Sequence, residues 1–208
     1  MGKRNIIVLL FLLPLFLFSQ ITINQSDMPS DGDTIRTSNS VDLGAINFEE
    51  TGNNYNWDFS ALIPFSQSVD TFVSVQETPW LYQLFFLTSA NLAKELAEFD
   101  QFPGFELTDT YEYYKNSSSD YRLVGNAFTF TGIPFPNKFQ SADIIYKFPL
   151  SVGNVDSSLS DYEIAIPGIG YAGGWKKRVN HVDGWGTLVT PFGSFPTIRV
   201  KCYITQVD

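Results

Sequence analysis

His181 is the only histidine in the 208-residue chain, and Cys202 is its only cysteine. Any Ser-His-Asp or Cys-His relay would have to run through His181, with Asp183 two residues on as the acid that orients it. Cys202 falls on the apolar face of a strand-like stretch, Thr197 to Val207, together with Ile198, Val200 and Ile204. A thiol placed there acts as a small buried hydrophobe. No G-x-S-x-G elbow, Walker A, H-E-x-x-H or C-x-x-C pattern occurs. One histidine and one cysteine do not make the usual zinc ligand sets. Asp27, Asp31 and Asp33 surround Gly32 but lack the alternation and closing glutamate of a calcium loop, so they read as a turn. GIGYAG, Gly168 to Gly173, has the spacing of a dinucleotide fingerprint. It follows Ile166-Pro167 and leads into Gly174-Trp175-Lys176-Lys177-Arg178, where no helix opens, and reads as a loop between strands. The expectation is no catalytic residue, no metal ligand and no cofactor. One enzymatic alternative stays open, a carboxylate-dependent glycoside hydrolase: there are 22 acids, and such a pair is defined by separation in space rather than in sequence.

Aromatic residues are the other chemical resource, with 19 Phe, 10 Tyr and 4 Trp. Tyr111, Tyr113, Tyr114, Tyr121, Phe128, Phe130, Trp175 and Trp185 could offer flat faces to sugar rings. Tyr111, Tyr113, Tyr114, Trp175 and Trp185 are the candidate glycan-facing set. The same rings would equally fill a β-rich core that has no disulfide to brace it.

The elements that would position these residues are mostly strands. Ser68 to Gln76 alternates, as do Thr108 to Lys115 and, after the turn NSSSD, Tyr121 to Val124. Asn126 to Thr131, Ile144 to Phe148, Tyr162 to Ile166 and Trp175 to Val182 are further short strands, and Thr197 to Val207 is the clearest. Leu92, Leu96 and Phe99 recur at helical spacing behind Thr88 or Ser89, which predicts one short helix over about 88–99. The predicted fold is mainly β: an antiparallel β-sandwich or a strongly curved, half-open barrel-like sheet with that one helix. In GWGTLVTPFGSFPTIRV, Pro191 and Gly193 are the structural turn of a hairpin. Gly184 and Gly186, flanking Trp185, predict a bulge or the close approach of another backbone or ring.

Residues 1–20 carry Lys3 and Arg4 ahead of an apolar run from Ile6 to Phe18. This is the pattern of a signal peptide, and the run falls short of a spanning helix. Residues 21–208 then form a single β-rich extracellular domain with no transmembrane segment after signal cleavage. The chain stops at Asp208, within or just beyond a strand, which leaves room for a further domain downstream. A net charge of −9 disfavours nucleic acid, whose phosphates need a cationic face.

Three stretches together, GNNYNWDFSAL, YKFPLSVGNVDSS and VDGWGTLVTPFGSFPTIRVK, resemble secreted Bacteroidetes proteins that carry a C-terminal type IX secretion sorting domain, in the region that precedes that domain. The resemblance implies export by the Sec machinery and then the type IX machinery, to the medium or the outer cell surface. It supplies no catalytic or binding residues. Asp33-Thr34-Ile35 also looks like the O-glycosylation acceptor of such proteins, at Thr34. The expected function is a non-catalytic adhesive or scaffolding domain with a surface or polysaccharide partner. A glycan-binding module is the alternative.

Overall fold

The structure is a computed structural model that describes residues 21–44, 46–96, 107–166 and 170–207. The signal-peptide pattern at 1–20 lies outside the described residues. The elements are β1 (Thr34–Asn39), β2 (Asn53–Asp58), β3 (Ser66–Val73), α1 (Trp80–Phe86), β4 (Leu92–Glu95), β5 (Leu107–Asn116), β6 (Asp120–Phe130), β7 (Ile133–Lys147), β8 (Val155–Ile166), β9 (Gly170–Thr190) and β10 (Gly193–Val207). Among the described residues ten strands form one sheet that does not close into a barrel, in the order β1-β3-β4-β5-β6-β7-β8-β9-β10. The tenth, β2, lies parallel to the second half of β9, beside Trp185 to Val189, while β8 pairs with the first half. One pair, Ser141 with Asp161, joins the β1–β7 half to the rest.

The sheet folds over itself at that junction. Asp143 and the carbonyls of Ile144 and Ile145 on β7 receive hydrogen bonds from Arg178, Ser158 and Asn180 on β8 and β9. The mainly β, sandwich-like architecture therefore matches the sequence reading. The strands are longer than the sequence alone suggests. The register shifts between Tyr113 and Tyr114 and between Leu123 and Gly125. A bulge of this kind resets the alternation of side chains, so a continuous strand such as β6 reads as two short ones.

The helix is not over 88–99. Residues Leu92–Glu95 form β4, and 97–99 lie outside the described residues. Leu92 and Ala93 are both buried although adjacent, because this part of the sheet is covered on both faces, and such strands lose their alternation. Their spacing imitated a helix. The real helix, α1, starts directly after Pro79, whose fixed φ suits a helix start. It buries Tyr82 and Phe86, one turn apart, against Tyr113. The Phe86 and Tyr113 rings stack at 3.8 Å with 3° between their planes, which adds about 1 kcal/mol beyond simple burial. On the opposite face Phe72, Leu92, Tyr114 and Tyr121 form a second cluster.

Candidate functional site

The candidate site lies where the tip of the β9–β10 hairpin meets the β1–β3 pair. Residues Pro191 and Phe192 make a two-residue turn, with Thr190 paired to Gly193. The Thr190 hydroxyl accepts from the Phe192 amide at 3.2 Å. Gly193 holds φ +147°, which a side chain would strain. The turn lies where the sequence placed it, with Pro191 inside it and Gly193 opening β10. A tip of this kind projects past any core, so its rings face water: Phe192 is 65% exposed and Phe195 47%.

Two further features fix the tip. β2 reaches β9 because Gly184 and Gly186 have no side chains. A Cβ on Gly186 would overlap the Tyr55 carbonyl oxygen, and one on Gly184 would lie 2.6 Å from the Thr51 hydroxyl. The predicted close approach is therefore the backbone of β2, and a bulge sits beside it, at Asp183 opposite the Arg199–Val200 step. The segment before β2 is also pinned. Arg199 bonds Asp183 and donates to the Phe48 carbonyl at 2.7 Å, Lys201 pairs with Glu49, and Thr51 donates to the Asp183 carbonyl at 2.7 Å.

Between the tip and the β1–β3 pair lies a groove of about 570 Å³, lined by Arg36, Ser38, Gln67, Val69, Phe192 and Phe195 among others. A second hollow of about 400 Å³ continues it and shares Arg36, Ser38 and Phe192. Among the described residues, no acid lines either hollow. This volume is typical of sites for small ligands.

The candidate aromatics fall elsewhere: Tyr111 meets Tyr113 and Tyr114 meets Tyr121, but these pairs lie in the packed interior and do not join Trp175 and Trp185 in one exposed platform. Tyr113 and Tyr114 are buried on opposite faces of the sheet, Tyr111 packs beside α1, and Tyr121 is buried against Tyr114. Phe128 and Phe130 are partly buried on β6, Phe128 beside Phe135. Trp175 is paired with Val207 and Trp185 with Ile198, which places the two rings on opposite faces. Phe192 and Phe195 were legible only as turn residues. The available signal was an aromatic set between Pro and Gly at a hairpin tip, where no core can take it.

Cys202 is a correction. It is exposed, although it does lie on the inward face, opposite buried Asn180. Side chains of β8 and β9 bond to β7, and on the last strand the thiol accepts from the Arg178 guanidinium at 3.2 Å. His181 is paired with Lys201 and so faces away from Cys202. Asp183 is taken up by Arg199 and Thr51. In GIGYAG, Gly170 to Gly173 belong to β9, and Gly168 and Ile169 lie outside the described residues. Asp27 and Asp33 cap turns, accepting from the Asn24 and Ser30 amides.

The strongest titratable cluster is the seam between β7 and β9. Burial pushes the Asp143 carboxyl up, but two bonds from Arg178 and the charge of Lys176 outweigh it and hold the group below the ordinary carboxylate value. Burial pushes Asp156 up. Asp143 is 1% exposed, which leaves it without access to a substrate; its role is to lock the two halves together.

No protein-family model, no curated protein and no solved structure matches this chain.

Proposed function

We propose that this chain is a non-catalytic adhesive or scaffolding domain of the cell exterior, and that its working surface is the groove between the β9–β10 tip and the β1–β3 pair. The observation that carries the reading is the placement of Phe192 and Phe195. Two large rings stand in water beside hydroxyl, amide and guanidinium groups, at a tip fixed by Pro191, Gly193 and the β2 backbone. Recognition residues gather on loops held by a rigid scaffold, and an exposed ring cluster costs solubility unless something covers it. The exported location rests on the pattern of residues 1–20 and on the family resemblance. The hydrolase alternative finds no support in the groove, whose lining contains no acid among the described residues.

The test is adhesion of the purified full chain to surfaces coated with plant, algal and bacterial polysaccharides and with bacterial envelopes. Wild-type protein is expected to be retained on at least one surface. The double variant F192A/F195A should lose most of that retention with an unchanged melting temperature. Retention unaffected by the double variant would remove the groove as the working surface.

A further inference from the structure

Arg36 is the odd arginine. Among the described residues, Arg122 holds Asp120, Arg178 holds Asp143 and Arg199 holds Asp183. Arg36 alone makes no ion pair, in a chain where acids outnumber bases 22 to 13. It is exposed on β1, and it borders both hollows together with Phe192. A guanidinium left free beside aromatic rings is a fork waiting for a planar anion.

We propose that this groove binds an acidic sugar, a uronic-acid unit of a polysaccharide, with its carboxylate on the Arg36 guanidinium. This rests on the groove being the working surface and names what occupies it. The sugar ring packs its C–H face on Phe192 or Phe195. Gln67 already donates to Ser38 at 3.2 Å, which leaves the Gln67 carbonyl oxygen to accept from a sugar hydroxyl. The charge of the lining matters as well: among the described residues, a carboxylate entering it meets one cation and no like charge. A peptide is the weaker fit. Extended peptides add to a sheet along its edge through backbone bonds, whereas this groove lies on the face shared by β1 and β3, with side chains from both strands in its wall.

The test is calorimetric titration of the full chain with galacturonic-acid oligomers, with galactose oligomers of the same length, and with poly-glutamate of matched charge. The galacturonic oligomer is expected to bind at least about tenfold tighter than the neutral one. Arg36→Gln should erase that preference, leaving the two oligomers alike, without moving the melting temperature. Phe192→Ala should weaken both. A preference that survives Arg36→Gln, or equal binding of acidic and neutral oligomers by the wild type, overturns the acidic-sugar inference. If Phe192→Ala still weakens binding in that case, the groove itself stands. Poly-glutamate binding as tightly as the galacturonic oligomer would also overturn it, in favour of a peptide. If no oligomer binds, the sugar ligand is excluded, and the adhesion assay with F192A/F195A judges the groove separately.

Discussion

Gly186→Ala is the sharpest perturbation of this structure. The added Cβ would overlap the Tyr55 carbonyl oxygen and lie 2.5 Å from the Tyr55 amide nitrogen and 2.7 Å from its carbonyl carbon. All three atoms are backbone, so no side chain can swing aside. Relieving the overlap moves β2 outward by about 1 Å or more, and a ladder hydrogen bond does not survive that displacement. β2 contributes five paired residues, Asn53 and Tyr55 to Asp58. It also carries Trp57, which is 6% exposed and donates its indole N–H to the Glu50 carbonyl. Losing two or three exposed ladder bonds costs about 1 kcal/mol or less each. Uncovering part of a tryptophan whose complete removal costs about 3–5 kcal/mol adds a share of that. The expected total is about 3 kcal/mol, and for a chain of this size it lowers the melting temperature by about 6–12 °C. Urea unfolding followed by tryptophan fluorescence reads it directly. The double variant with Trp57→Ala should cost much less than the two single variants summed, since both act on the same packing. A melting temperature within about 1 °C of wild type, or additive costs, would refute the claim that Gly186 exists to admit β2.

Two other outcomes follow from the same geometry. Gly193→Val places a β-branched residue at φ +147°, with its Cβ 3.3 Å from the Phe195 ring, and should destabilise by about 2 kcal/mol in thermal melts. Asp143→Asn leaves Arg178 facing a neutral partner in the seam, and should cost about 3 kcal/mol at neutral pH. Because the folded Asp143 carboxyl sits below its ordinary value of 3.8, its contribution is complete above that value and is lost as pH falls through the folded one. The stability gap between wild type and Asp143→Asn should therefore close in acid. A gap that stays constant from pH 6 to pH 2 contradicts the ion-pair account.

Local chemistry was legible in the sequence, and long-range chemistry was not. The alternation from Thr197 to Val207 falls within β10, the turn NSSSD does join β5 to β6, and the β9–β10 turn does fall at Pro191, with Gly193 opening the next strand. Gly184 and Gly186 even announced a neighbour that their positions could not name. Two adjacent tyrosines, Tyr113 and Tyr114, gave no sign that both would be buried, because one sequence cannot reveal that a sheet is covered twice. Cys202 misled for the converse reason: it lies on the inward face of its strand and is nevertheless exposed. The groove was hidden most completely. Arg36 and Phe192 come from opposite ends of the chain, and no spacing rule connects them. Only the sheet order, with β1 and β10 at its two ends and β2 folded in beside β9, brings them to the same hollow.

The β2–β9 pairing also sets a timetable. Thr51 and Asp183, bonded beside it, are 132 residues apart, whereas β5, β6 and β7 join through successive hairpins. Closing so long a loop is entropically costly before any contact rewards it, and folds that depend on such contacts form slowly. The helical half can therefore assemble early as a nucleus, while the groove, built from both ends of the chain, is finished last. On the proposed reading of the groove, ligand recognition would then report completed folding: a chain that has formed only its first hairpins and helix would still lack the surface proposed to bind.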